Sequence, residues 1–306
     1  MKILNRNSRT ESPTVAALGT FDGMHRAHRK IIDTAMKLAG EKGYSSLVYT
    51  FRNLPAAYFG SREEQLFSEQ EKTEYLEDMG VDILLMDTFD RTIAETDHMD
   101  FLNMLKNDLC VRTIVCGYDF RFGKDGRGDA DVIRRFADKN GMDYFVLERE
   151  MWEDTVISST NIRRLIKQGK LEKAEELLGH PYFFSGTVIE GRKVGRTIGF
   201  PTVNLSYGSE KLLPPKGVYA SKVLLDGKYY EGVTNIGSRP TVGNGNDITI
   251  ETNLLDMEGD LYGKTIRLEL YGYIRKEKRF SSLEELKNEI DRNKEQVRSY
   301  FRDNGR

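Results

Sequence analysis

Five apolar runs in the first half of the chain, residues 14–18, 45–51, 81–86, 113–116 and 144–147, alternate with stretches of helical spacing. The helical stretches fall near 25–41, 68–79, 97–109 and 129–140. Such alternation leaves little choice of fold. Strands separated by whole helices cannot pair as hairpins, so they line up parallel, with the helices covering both faces. Ser68 with Glu71 forms a capping box that opens the second helix. In a sheet of this kind ligands bind beyond the carboxyl ends of the strands, where the strand order reverses.

Two short helices follow, near 159–167 and 171–178, and Gly179-His180-Pro181 stops the second. The character of the chain then changes. Short runs rich in β-branched and aromatic residues, at 183–189, 217–225, 229–235, 248–254 and 265–274, are separated by glycine turns. Asp226-Gly227 is a hairpin signal. These features predict an antiparallel barrel or sandwich. A last helix is expected over 282–301, capped by Ser282 with Glu285 and carrying Leu283, Leu286, Ile290, Val297 and Tyr300 at helical spacing. With 306 residues the chain can bury two cores. The expected domains are 1–180, a doubly wound parallel α/β sheet, and 181–306, an antiparallel β-barrel with a terminal helix.

Composition excludes several classes. A net charge of −2 gives no sign of a polyanion-binding surface, which argues against a nucleic-acid partner and leaves open only a local basic patch. Two cysteines, Cys110 and Cys116, in apolar surroundings do not make a disulfide scaffold and fit a reducing cytoplasm. No apolar run approaches the ~20 residues of a membrane span, and the first residues lack the apolar core of a signal peptide.

The strand at 14–18 runs into Gly19-Thr20-Phe21-Asp22-Gly23-Met24-His25-Arg26-Ala27-His28. The start of a helix presents unpaired N–H groups and the positive end of its dipole, a natural phosphate site. His25 and His28, three apart, share one helical face and can address one anion together. A plain capped turn is the competing reading. Zinc is a third, but it wants three or four ligands and only His98 and His180 remain. Two further loops suit anions. Gly117-Tyr118-Asp119-Phe120-Arg121-Phe122-Gly123-Lys124 combines aromatic faces with charge after the fourth strand, and a solvated βα loop is an equal reading of it. Ser158-Ser159-Thr160-Asn161-Ile162-Arg163 sets three hydroxyls and a cation at a helix start.

In the second half, Gly191-Arg192-Lys193-Val194-Gly195-Arg196-Thr197-Ile198-Gly199 is glycine-spaced and basic, as a phosphate cradle would be, although it is no Walker A sequence. Thr202 and Asn204 are two apart, so in an extended segment their oxygens face one side and suit Mg²⁺. A polar strand face is the plainer alternative. Glu251, between β-branched neighbours, lies on a solvated face or is a positioned base.

Together these motifs resemble the bacterial bifunctional riboflavin kinase / FMN adenylyltransferase (FAD synthetase) family over nearly the whole chain. The resemblance is strongest in Gly199-Phe200-Pro201-Thr202-Val203-Asn204-Leu205, Leu213-Pro214-Pro215-Lys216-Gly217-Val218-Tyr219-Ala220, Asn235-Ile236-Gly237-Ser238-Arg239-Pro240-Thr241 and Ile274-Arg275-Lys276-Glu277. It implies an enzyme that phosphorylates riboflavin to FMN and then adenylylates FMN to FAD, with ATP as co-substrate and Mg²⁺ as cofactor. By the resemblance, Gly19, Phe21, Asp22, His25, His28, Asp119, Ser158, Ser159, Thr160 and Arg163 serve the adenylyltransferase nucleotide, with His28 counted as catalytic. Gly191, Lys193, Gly195, Arg196, Gly199, Thr202 and Asn204 serve the kinase nucleotide, with Thr202 and Asn204 on Mg²⁺. Glu251 is the kinase base, and Arg275 and Glu277 lie on the flavin side.

Two departures stand out. Ala27 occupies a family glycine position and adds a Cβ at a contact surface. Arg52-Asn53-Leu54-Pro55 stands where the family usually has Asp-Pro-His-Pro, losing an acid and a histidine and gaining a cation. They leave room for a riboflavin kinase whose adenylyltransferase half is weakened. A flavin sensor without turnover is a further alternative, opposed by the presence of Thr202, Asn204 and Glu251.

Overall fold

The computed structural model describes residues 1–189, 202–238, 248–257, 259 and 261–306. They form two compact units, Met1–Ser159 and Thr160–Arg306.

The first unit is built on β1 Lys2–Leu4, β2 Thr14–Leu18, β3 Ser45–Phe51, β4 Ile83–Asp87, β5 Val111–Gly117 and β6 Asp143–Leu147. They pair in the order β1-β4-β3-β2-β5-β6, each pair parallel. Between the strands run α1 Arg26–Lys42, α2 Pro55–Tyr58, α3 Glu69–Asp78, α4 Arg91–Glu95, α5 His98–Asn107 and α6 Ala130–Asn140. The five expected strands and four expected helices are present within two residues of their expected ends. Every residue of β2 is buried, as befits a central strand covered on both faces. Leu47, Leu85, Ile114, Phe101, Leu105 and Ile133 pack in the core of this unit.

The chain adds β3 and β4 on one side of β2, then crosses to place β5 and β6 on the other. The order therefore reverses between β2 and β5, where Leu18 lies beside Cys116. Burial drives the Cys116 thiol up to about 12, so it is an inert core residue. Edge strand β1 has three residues, and the hairpin β7 Met151–Trp152 with β8 Thr155–Val156 has two on each side. Neither is long enough to show a period, and neither was expected.

Helices α7 Ser159–Lys167 and α8 Leu171–Leu178 follow, and α8 stops as expected at Gly179, whose φ is 79°. The open choice between barrel and sandwich resolves as a closed barrel, in the order β10-β13-β12-β11-β14-β9. Its strands are β9 Tyr182–Ile189, β10 Thr202–Leu205, β11 Gly217–Leu225, β12 Lys228–Ser238, β13 Ile248–Leu254 and β14 Thr265–Arg275. The β11–β12 turn has positive φ at both Asp226 and Gly227, the backbone that suits a two-residue hairpin. The ring is tight at β9, where a Cβ on Gly186 would run into the Ser206 carbonyl oxygen.

A final helix, Leu283–Asp303, lays Val297 and Phe301 against Val218, Ala220, Val233, Leu255 and Tyr271. Ser282 caps it as expected, but the Glu285 carboxylate reaches back to Ser281 rather than to Ser282. Those bonds and Lys278 hold the Glu285 carboxyl down at about 2.

Side chains alternate across a strand. Val218, Ala220 and Val233 meet the helix outside the barrel, so Tyr219, Ser221 and Thr234 point inward. There the Thr234 hydroxyl donates to Ser221 Oγ at 2.7 Å and lies 2.8 Å from Thr252 Oγ1, all three buried. This chain of hydroxyls stitches β11, β12 and β13. Thr234→Val keeps the volume but leaves the Thr252 hydroxyl without its Thr234 partner, while Ser221 keeps its bond to the Gly232 carbonyl, so it should lower barrel stability by about 1–3 kcal/mol. Denaturant unfolding of the variant against wild type measures this; an unchanged midpoint would refute the stitch.

Candidate active sites

Gly19–His28 follows β2 directly, at the carboxyl edge beside the strand-order reversal. The backbone takes positive φ at Phe21 (47°), Gly23 (82°) and Met24 (43°), folding the segment into a tight knot. Phe21, Asp22, Met24 and His25 are buried. A Cβ on Gly19 would stand 2.7 Å from the Phe21 ring, so glycine is required there. His25 is the N-cap of α1, its Nδ1 accepting from the His28 N–H at 3.3 Å. The two imidazoles stack with centroids 3.5 Å apart, and the Phe21 ring meets His28 edge-on at 5.3 Å. Both histidines thus stand together at the positive end of α1.

The knot is held from behind. The Asp22 carboxylate accepts from the buried Leu66 and Phe67 N–H groups at 3.0 Å. Lys72 Nζ, on α3, donates to Thr20 O at 2.9 Å, to Phe51 O at 2.6 Å and to Thr50 Oγ1 at 3.4 Å. Burial lowers the Lys72 ammonium to about 8, against the pull of the Asp22 charge. Ser159 Oγ donates to the Asp22 carbonyl at 2.9 Å, bringing the start of α7 to the knot. Ser158 precedes it; Thr160 and Arg163 follow on α7, in the second unit.

Asp119 lies exposed beyond β5, the strand next to β2. Its loop is rigid at the base: Phe120 and Phe122 stack at 5.5 Å, and a Cβ on Gly123 would strike the His98 backbone at 2.7 Å. Arg121 pairs with Asp129 at 3.0 Å. Ala27 is the second residue of α1 and half-buried, where helical geometry accepts a Cβ. Arg52 is not a free cation, because Glu69 pairs with it. Asn53 exchanges two hydrogen bonds with the Phe89 backbone, at 3.0 and 2.8 Å. Around this corner Phe51, Tyr58, Phe59 and Phe89 make edge contacts at 5.1–5.9 Å, with Phe59 72% exposed. The result is an open aromatic surface at the ends of β3 and β4. Among the described residues no group of three His, Cys, Asp or Glu side chains could hold a metal, so the zinc reading of His25 and His28 gains nothing.

In the barrel, Asn204 on β10 lies opposite Glu251 on β13, which lies opposite Asn235 on β12. Directly opposed residues share a face, and by alternation from inward Thr234 and Thr252 this row faces outward. Thr202 and Asn253 form a second opposed pair on the same face. Asn204 Oδ1 is buried with no hydrogen-bond partner among the described residues, a neutral hard oxygen of the kind Mg²⁺ accepts. A Cβ on Gly237 would collide with Glu277 Oε1 and meet Asn235 Nδ2 at 3.0 Å, so the missing side chain lets Glu277 close over the row. Arg275, opposite Val218, is held by Asn293 Oδ1 at 2.9 Å and Glu289 at 3.2 Å on the final helix. Gly191, Lys193, Gly195, Arg196 and Gly199 lie outside the described residues.

Lys72, Asn235 and Asn253 were not singled out from the sequence. Lys72 had a weak signal, since it sits one helical turn before buried Leu76 on the inner face of α3. The two asparagines had none, because only strand register brings them to Glu251.

Asp22→Ala should destabilise the first unit by about 1.5–3 kcal/mol, the worth of hydrogen bonds to a charged group, with buried N–H groups left unpaired. Urea unfolding of the full chain measures it, and a loss below about 0.5 kcal/mol, the range of ordinary surface changes, would contradict the bracing role.

Comparison with known proteins covers both units. The FAD synthetase family matches residues 7–161, and the riboflavin kinase family matches residues 178–301. A bifunctional riboflavin kinase/FMN adenylyltransferase of Bacillus subtilis is 37% identical over 297 residues, covering 95% of this chain and 93% of its own. One from Escherichia coli is 37% identical over 303 residues, covering 98% and 96%. A crystal structure from Streptococcus pneumoniae, named a macrolide-efflux protein, is 27% identical and superposes with a TM-score of 0.86, covering 97% of this chain and 99% of its own. No helix among the described residues is long and apolar enough to cross a membrane. Two matched domains in one chain, with relatives above 30% identity over nearly full length, establish that the chain belongs to the bifunctional riboflavin kinase/FMN adenylyltransferase family.

Proposed function

We propose that this chain converts riboflavin to FMN and FMN to FAD, each step using ATP, at two separate sites divided near residue 180. The observation that carries it is the coexistence of a histidine-capped knot at the strand-order reversal and an outward Asn204–Glu251–Asn235 row on the barrel. Each sits in a region matched by one of the two family domains.

In the kinase step Glu251 takes the proton of the riboflavin 5′-hydroxyl as its oxygen attacks the ATP γ-phosphorus, and ADP leaves. Asn204, with Thr202, would hold Mg²⁺, which supplies charge neutralisation on the phosphates. Gly191, Lys193, Gly195, Arg196 and Gly199 would fold over the nucleotide, with Arg275 and Glu277 on the flavin side. In the second step an FMN phosphate oxygen attacks the ATP α-phosphorus and pyrophosphate departs. His25, His28 and the α1 N–H groups meet the growing negative charge; Ser158, Ser159, Thr160 and Arg163 add donors. Asp119 and Gly19 border the nucleotide, Phe21 and Asp22 shape the turn, and the open aromatic surface of Phe51, Tyr58, Phe59 and Phe89 offers stacking for the flavin ring. We place the enzyme in the cytoplasm, in keeping with its two unpaired cysteines.

Incubation with riboflavin, ATP and Mg²⁺, followed by chromatographic separation of FMN and FAD, tests the whole reading. Accumulation of FMN alone, also from supplied FMN, would select a kinase with a dead second half. Glu251→Gln should abolish FMN formation and leave adenylylation of supplied FMN intact; loss of both in a folded variant would contradict separate sites. His28→Ala should lower FAD formation by about 100-fold or more, the scale for a lost transition-state donor, with riboflavin phosphorylation unchanged. Undiminished FAD output would remove His28 from the site.

A further inference from the structure

We propose that Lys72 is a positioning residue of the adenylyltransferase site, its ammonium locking the phosphate-binding knot to the end of β3. The inference rests on the reading of the Gly19–His28 knot as that site.

Lys72 is 3% exposed, an expensive place for an ammonium. Nothing about the packing of α3 demands a cation, since its inward neighbour one turn on is Leu76. What the ammonium does is specific. Its three N–H groups meet three oxygens: Thr20 O inside the knot, Phe51 O at the last residue of β3, and Thr50 Oγ1, which itself donates to Thr20 O at 2.8 Å. The two carbonyls stand at the carboxyl ends of neighbouring strands, beyond the register pairs that run from Thr14–Ser45 to Leu18–Tyr49. Beyond those pairs the Gly19 N–H still donates to Tyr49 O at 3.3 Å and Thr50 Oγ1 to Thr20 O, and Lys72 adds the link between the Thr20 and Phe51 carbonyls.

The same stretch of chain grips the knot a second time, through the Leu66 and Phe67 N–H groups on Asp22. A methionine could fill the volume of Lys72 but could satisfy none of the three oxygens. The knot would then lose one of its anchors, and with it part of what places the α1 N–H groups and His25 and His28. An error of about 1 Å at such groups can lower turnover about 100-fold without touching the substrate.

The ammonium is also poised to report on itself, because burial brings its deprotonation to about 8. The neutral amine has two N–H groups for three acceptors. The charged and titratable groups on the elements around it are Asp22 in the knot, His25 and His28 at the start of α1, Arg52 beyond β3, and Glu69 and Glu71 on its own helix. Arg52 and Glu69 pair with one another.

The test uses the full chain, with FAD formation from FMN and FMN formation from riboflavin measured on one preparation. Lys72→Met should lower kcat for FAD formation about 10- to 100-fold, with KM for ATP and FMN changed less than about threefold, and should leave the kinase rate untouched. Wild-type FAD formation should fall as pH rises through about 8. Lys72→Arg, which keeps its charge, should retain more activity than Lys72→Met and lose that fall. A kcat within about twofold of wild type in Lys72→Met, or a loss confined to KM, overturns the proposal. If Lys72→Met unfolds the first unit, the pH profiles decide, and the same fall in wild type and Lys72→Arg overturns it. A wild type that makes no FAD would instead overturn the reading of the site itself, and the positioning role with it.

Discussion

A buried carboxylate holds the first unit's chemistry in place. Asp22 gathers two N–H groups from the approach to α3 while its own backbone turns from β2 into α1. Without that anchor, the three strained or glycine-dependent positions Phe21, Gly23 and Met24, which flank Asp22, would have little reason to hold their left-handed conformation. The strain has a use. It brings the start of α1 tightly against the sheet edge, so that the helix dipole, the N–H groups and two stacked imidazoles converge where the strand order reverses. In a chain with a net charge of −2 this convergence gives a local array of N–H groups and imidazoles that suits an anion.

The second unit solves a related problem by register instead of strain. Closing six antiparallel strands gives every residue an inside or an outside, and a shift of one position would exchange them. Thr234 and Thr252 inside and Asn235 and Glu251 outside sit on the same two strands, β12 and β13. The stitch inside therefore helps fix the register of the row outside. Glycine at 237 then admits Glu277, and the final helix holds Arg275, so these two groups arrive from β14 and its sequel rather than from the strands bearing the row.

The alternation of the first half was legible because helices and strands have different periods, and each run was long enough to show its own. The strands too short for a period, β1, β7 and β8, were not. The strand-to-helix turn at Gly19–His28, with its histidines at the helix start, was legible from local pattern, and the departures at Ala27 and Arg52 were visible as changes of side-chain chemistry. What became of them was not. Arg52 is engaged by Glu69, and Asn53 closes on the Phe89 backbone; both depend on residues brought near only by the fold. Lys72 looked like any charged helix residue, and its burial against Thr20 and Phe51 has no local signal.

The sequence by itself determined the two-part architecture, the parallel sheet, the helix start that favours anions and the family resemblance, because each rests on local periodicity or contiguous motifs. Only the tertiary structure decided that the β half closes as a barrel, that Glu251 shares a face with Asn204 and Asn235, and that Lys72 bonds the Thr20 and Phe51 carbonyls. Those outcomes depend on hydrogen bonds and registers between residues far apart in the chain, which no local pattern encodes.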